Sequence, residues 1–152
     1  MSQKGERAYQ LFHQGYNCCQ SVVGAFCEDL GLEFDTAMRL ASSLGGGMGR
    51  LREVCGACSG MFLMAGLVTG TSYPGDSEER AVNYAQVQRL AAAFRQQHGT
   101  LICRELLGLD NTPESPVPSQ RTAEYYQKRP CADLVRSAAE ILEADLQSLS
   151  QK

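Results

Sequence analysis

Apolar positions recur along this chain at intervals of three and four residues, and no segment alternates strictly with period two. Ala8, Leu11 and Phe12 mark one face of a first helix that Gly15 should end. Asn17, with Gln20 three residues later, has the form of a capping box. It would open a second helix through Val22, Val23, Ala25 and Phe26 that stops near Gly31. Asp35 is placed to cap a short third helix carrying Met38, Leu40 and Ala41. Cys55 to Thr69 is apolar most of the way round and is interrupted by Gly56, Gly60 and Gly66. Such a helix belongs at the centre of a domain, where small residues admit a close neighbour.

After the turn Tyr73-Pro74-Gly75, Asp76 with Glu79 opens a long helix to about Gln97. Its expected buried stripe is Val82, Ala85, Leu90, Ala93 and Phe94. Cys103 begins a short segment closed by Gly108, and prolines 113, 116 and 118 make Asn111 to Ser119 an extended loop. A last helix starts near Pro130 and carries Leu134, Val135, Ala138, Ile141, Leu142, Leu146 and Leu149. The pattern predicts an all-α fold. It is a single domain over residues 1–152, a bundle of about five to seven helices around the central glycine-spaced helix at 55–69.

The stretch Ser42-Ser43-Leu44-Gly45-Gly46-Gly47-Met48-Gly49 breaks this pattern. No stable helix would choose it, and consecutive glycines let another backbone or a ligand come close. It is not a phosphate loop, since GxxxxGK[ST] and GxGxxG are both absent.

Composition narrows the function classes. With 43% hydrophobic and 20% charged residues, 152 residues are enough for one core without covalent staples. A net charge of −3 with dispersed basic residues argues against nucleic-acid binding. The longest unbroken apolar stretch, Met61 to Val68, is too short to cross a bilayer, so no membrane association is expected. Met1-Ser2-Gln3-Lys4-Gly5-Glu6-Arg7 has no apolar signal core, which makes a cytoplasmic, reducing compartment the expectation.

Seven cysteines then become the candidate chemistry, because thiols kept in a reducing compartment are more often catalytic, redox-sensing or metal-binding than structural. Thiolates are favoured at helix starts and beside cations. Cys18 follows the Asn17 cap, Cys55 lies behind Arg50 and Arg52, Cys103 precedes Arg104, and Cys131 follows Lys128, Arg129 and Pro130. Convergence of these four starts would make a thiolate-stabilising pocket. Cys58 forms a CxxC with Cys55 and is either its redox partner or packing; Cys27, on the Val23 face, is expected in the core. The CxxC lacks the βαβ context of a thioredoxin-type dithiol and the second pair of a zinc site. His13 and His98 are isolated and expected at the surface or at helix ends.

The run Tyr16-Asn17-Cys18-Cys19-Gln20-Ser21-Val22, the stretch Gly45 to Arg50, Cys55-Gly56-Ala57-Cys58-Ser59-Gly60, Cys103 to Gly108 and Cys131 together resemble a known family. It is the "putative redox-active protein" family named for its C-GCAxxG-C-C cysteine pattern. The likeness spans nearly the whole chain, and its ordered five-part signature is far more specific than a lone CxxC. It implies a small helical domain, seen also as a module in split-Soret-type cytochromes, and a redox role without an assigned reaction or substrate. The family's four cysteines would fall on Cys18, Cys55, Cys103 and Cys131. Cys19 leaves the first register open by one residue, and Cys58 occupies a variable position of the pattern.

Two chemistries follow. One is oxidoreductase-like thiol–disulfide exchange or electron transfer by Cys18, Cys55, Cys58, Cys103 and Cys131, with Cys55 the favoured attacking thiolate. A disulfide inside a helical turn is awkward, so Cys18, Cys103 or Cys131 competes with Cys58 as its partner. The other is Cys₄ ligation of an Fe–S cluster, or of another metal, by Cys18, Cys55, Cys103 and Cys131. A helical interaction module whose cysteines are buried filler is the third reading. The redox partner is unidentified, and the apolar content is compatible with a homodimer.

Overall fold

The computed structural model describes residues 2–75 and 77–151, so the expected Asp76 cap lies outside the described residues. The fold is all-α. Its six longer helices are α1 (Gln3–His13), α2 (Cys18–Phe26), α3 (Phe34–Ser42), α5 (Gly56–Thr69), α6 (Ser77–His98) and α9 (Cys131–Ser150). Three short segments, α4 (Gly45–Met48), α7 (Cys103–Leu107) and α8 (Ala123–Lys128), bring the helical segments among the described residues to nine. No helix among those residues is long and apolar enough to cross a membrane.

The helix ends follow from local chemistry. At Asn17 the capping box is complete: the Gln20 N–H donates to Asn17 Oδ1 at 2.8 Å, and the Asn17 N–H donates to Gln20 Oε1 at 3.0 Å. Gln14 and Gly15 close α1, and Gly108 closes α7. Helix α3 differs from expectation. Its cap position is Glu33, without a side-chain bond, and Asp35 sits in the first turn, where its charge favours the helix dipole.

Packing puts α5 in contact with α2, α4, α6 and α9, while α2 and α9 also touch each other. The centre is thus shared by α2, α5 and α9. Gly56 to Met61 are all buried, whereas Leu63, Leu67 and Val68 on the last turns of α5 reach solvent. Cys19, Val22, Phe12, Met61, Leu90, Phe94, Val135 and Leu142 belong to one continuous core.

Part of the buried stripe expected on α6 is overturned. On α6 the inward residues are Gln86, Leu90 and Phe94, while Ala85 is exposed and Val82 is 58% exposed. The stripe keeps its four-residue spacing but is set by Gln86, which is fully buried because it donates to Asp145 Oδ2 at 3.0 Å and lies 2.6 Å from the Thr69 hydroxyl. On α3, Leu40 points outward at 61% exposure, because Ala37, Met38 and Ala41 form the buried face against α2.

The glycine-rich stretch folds into an unusual turn. Gly46, Gly47, Met48, Gly49 and Arg50 hold φ of 66, 66, 71, 60 and 68°, a short left-handed coil. Left-handed backbone costs a non-glycine L-residue roughly 1–2 kcal/mol, and three glycines in five positions keep that total small. Gly47 is doubly constrained. An added Cβ would lie 2.6 Å from Cys103 Cβ, 2.7 Å from Arg52 Cα and 2.8 Å from Glu53 N. Gly47→Ala is therefore expected to lower unfolding stability by about 2–4 kcal/mol in urea titrations, from backbone strain plus overpacking. Gly66→Ala meets nothing within 4 Å and should raise it by about 0.5–1 kcal/mol through helix propensity. Equal effects of the two changes would refute this account of the turn.

Candidate functional site

Four helix starts meet at one cavity of about 220 Å³, and Cys18, Cys55, Cys103 and Cys131 all line it. Cys18 is the first residue of α2, Cys103 of α7 and Cys131 of α9, and Cys55 is the cap residue of α5. Backbone contacts bring these starts together. The Cys55 N–H donates to Leu101 O at 2.7 Å, the Cys103 N–H to Glu53 O at 2.6 Å and the Arg104 N–H to Arg52 O at 3.1 Å. This short antiparallel pairing, with its bridge at Val54 and Ile102, ties together the segments that lead into α5 and α7. Gly56 does the same for α2 and α5, since a Cβ there would lie 3.1 Å from both Cys18 Cβ and Cys19 N.

The doublet resolves by helix phase. Cys18 borders the cavity, while Cys19 is fully buried in the core, where burial pushes its thiol up to about 12. Cys27 is also buried in the core. His13 and His98 stand at the ends of α1 and α6, away from the cavity.

The site thiols interact in two pairs, each dividing into a donor and an acceptor. Cys131 is lowered to about 7, first by the hydrogen-bonding interaction with the Cys18 thiol. Arg129, Arg52 and Tyr125 add to this, while burial opposes it. Cys18, the donor, is correspondingly raised. In the second pair Cys55 is lowered by the Cys58 thiol and then by the Ala57 and Cys58 N–H groups at the start of α5. Cys58 is raised by the same interaction and by burial. Cys103 is raised by burial, against an Arg52 Nη1 that lies 3.6 Å from its sulfur.

Some cavity residues were invisible in the sequence. Arg121 stacks over Phe12 at 4.0 Å from the ring centroid and donates to Phe12 O at 2.8 Å and Tyr16 O at 3.0 Å. Tyr125, raised to about 12 by burial and by the nearby Cys131, stays a protonated donor toward that sulfur. Glu114, from the proline loop but outside the cavity lining, bonds Arg50 and Arg52 on its wall. Of the cations expected beside thiols, Arg52 and Arg129 act on them; Lys128 pairs instead with Glu124 on the surface.

The family model described as "Putative redox-active protein (C_GCAxxG_C_C)" matches residues 16–144. The chain belongs to that family. No curated protein and no solved structure matches it. The matched span contains all seven cysteines, among them Cys18, Cys55, Cys58, Cys103 and Cys131. Among the described residues, no three His, Cys, Asp or Glu side chains are grouped to hold a single metal ion. A multinuclear cluster spreads its thiolates over several iron atoms, so Cys18, Cys55, Cys103 and Cys131 are the residues that would hold one.

The Cys131 assignment has a direct consequence. A lowered thiol is reactive above its pKa, so alkylation of Cys131 by iodoacetamide should rise with pH through a midpoint near 7. Cys18→Ala removes the S–H donor, which moves that midpoint upward and slows alkylation at pH 7 on the order of tenfold. Peptide mass spectrometry of the labelled protein reads both values, and an unmoved midpoint would discard the Cys18–Cys131 pairing.

Proposed function

We propose that this member of the redox-active C-GCAxxG-C-C family is a dithiol–disulfide protein whose exchanging pair is Cys18 and Cys131. The observation that supports this reading is their place on one cavity as the first residues of α2 and α9, and the electrostatics agree, with Cys131 lowered and Cys18 raised by their mutual interaction. In the reaction, the Cys131 thiolate attacks one sulfur of a substrate disulfide and expels the other sulfur as a thiolate. Cys18, losing its proton, then attacks the Cys131 sulfur of the mixed disulfide and releases the second thiolate. The protein is oxidised by two electrons to a Cys18–Cys131 disulfide, and the substrate leaves as two thiols. Cys55 is the second lowered thiol, but its partner Cys58 lies one turn along the same helix, where a disulfide is strained. The single domain of residues 1–152 would work in the cytoplasm, where a donor of electrons can re-reduce it.

Four family cysteines around one cavity also favour the cluster alternative, in which Cys18, Cys55, Cys103 and Cys131 bind iron and sulfide. One preparation separates the two. Protein purified without oxygen should contain no stoichiometric iron or acid-labile sulfide. On treatment with 2-hydroxyethyl disulfide it should lose two of its seven free thiols, with one cross-link joining the Cys18 and Cys131 peptides. Cys131→Ser should abolish the cross-link. Stoichiometric iron and sulfide would replace the dithiol reading with the cluster, and seven unreacted thiols without iron would leave the cysteines as filler.

A further inference from the structure

The proline loop between Asp110 and Arg121 roofs the thiol cavity with Pro116, Pro118 and Ser119, yet residues 111–120 are exposed apart from Glu114. Across that span it is tied to the body through two neighbouring residues. Arg50 Nε donates to Ser115 O at 2.8 Å, and the Glu114 carboxylate takes the rest. Arg52 grips that carboxylate with both edges of its fork, Nε to Oε2 at 2.8 Å and Nη2 to Oε1 at 2.9 Å. Arg50 Nη2 adds a third bond to Oε1 at 2.8 Å. This is the planar, bidentate geometry by which arginine recognises a carboxylate.

Three features exceed what a strap alone requires. Arg50 and Arg52 both hold left-handed backbone, at φ 68 and 61°, and such strain persists only where surrounding structure enforces it. Arg52 is 5% exposed and touches the Cys103 sulfur with its remaining nitrogen, so the carboxylate sits one guanidinium away from the thiols. Arg50 and Arg52 both line the cavity, whereas the Glu114 carboxylate they share does not. Two guanidiniums share one carboxylate there, which leaves net positive charge on that wall.

We propose that the Arg50–Arg52 pair is the recognition site for a carboxylate carried by the disulfide substrate, and that Glu114 is its displaceable occupant. The proposal rests on the thiol–disulfide reading above and names the substrate class for it: a small disulfide bearing a carboxylate. Exchange of one carboxylate for another conserves the hydrogen bonds of the fork, so the bound acid replaces Glu114 at little net cost in polar contacts. The acid then lies on the wall of the cavity that Cys18 and Cys131 share. An uncharged disulfide has nothing to exchange and reaches the thiols with Glu114 in place, at a rate the fork does not change.

The test compares 3,3′-dithiodipropionate, which carries two carboxylates, with neutral 2-hydroxyethyl disulfide, as the rate of free-thiol loss in wild type and variants. Glu114→Gln should raise the ratio of anionic to neutral rates on the order of tenfold, because the fork no longer holds a charged competitor. Arg50→Gln in that background should return the ratio toward one. Glu114→Ala, which vacates the fork altogether, repeats the measurement if the glutamine variant folds poorly. An unchanged ratio, or equal loss of both rates, would show Glu114 to be a strap only. Calorimetry with suberate, the carbon analogue that has no disulfide, is independent of the thiol chemistry. Tighter binding to Glu114→Gln than to wild type, lost on adding Arg50→Gln, would uphold the carboxylate site even if neither disulfide reacts; no binding to any variant would overturn it.

Discussion

The thiol cavity depends on two stretches of backbone that pass unusually close to their neighbours. At Gly47 the left-handed turn lies against Cys103 and Arg52, and at Gly56 the start of α5 lies against Cys18 and Cys19. A methyl group at Gly47 would push apart the segments that carry the sulfur atoms, and one at Gly56 would force its neighbours to give by a few tenths of an ångström. Once those approaches are made, the pairing of residues 52–55 with 101–104 brings together the starts of α5 and α7, and packing of α2 and α9 around α5 supplies the other two thiols. The core thus positions the site by contact of main chain with main chain, which is stiffer than contact through side chains.

Burial then decides how the sulfurs share charge. Taking a thiol out of water disfavours its ionised form, and the upward shifts of Cys19, Cys27 and Cys103 each have burial as their first cause. Where two thiols meet, one S–H stabilises the other as a thiolate, so Cys18 with Cys131 and Cys55 with Cys58 each concentrate one negative charge on one sulfur. Such pairs titrate as units. The helix-start amides at Cys55 and the cations Arg129 and Arg52 near Cys131 decide which member of each pair carries the charge.

Strain and charge coincide in the segment from Gly46 to Arg52. The left-handed coil turns both arginines toward the proline loop, and a carboxylate between them offsets the concentration of positive charge. Isolated surface ion pairs contribute little, but this one joins a nearly buried guanidinium with 6% side-chain exposure to an anion that accepts three bonds. The loop over the thiols is consequently held by electrostatics where the rest of the molecule is held by packing.

The helical class, the Asn17 capping box, the break at Gly45–Gly49 and the four thiol-bearing helix starts were legible in the sequence, because each is local: a cap, a glycine or an apolar period acts within one turn of chain. The fully buried Gln86 was not legible, since its burial depends on Thr69 and Asp145, far away along the chain. The same holds for the outward turn of Val82 and Leu40, for the choice of Cys18 over Cys19 and for Glu114, an ordinary acid in an extended loop until it meets Arg50 and Arg52. By itself, then, the sequence determined which residues could ionise and where helices begin. Only the tertiary structure decided which sulfur faces which, because Cys18 and Cys131 become partners through the packing of α2 against α9, and no local rule couples residues so far apart.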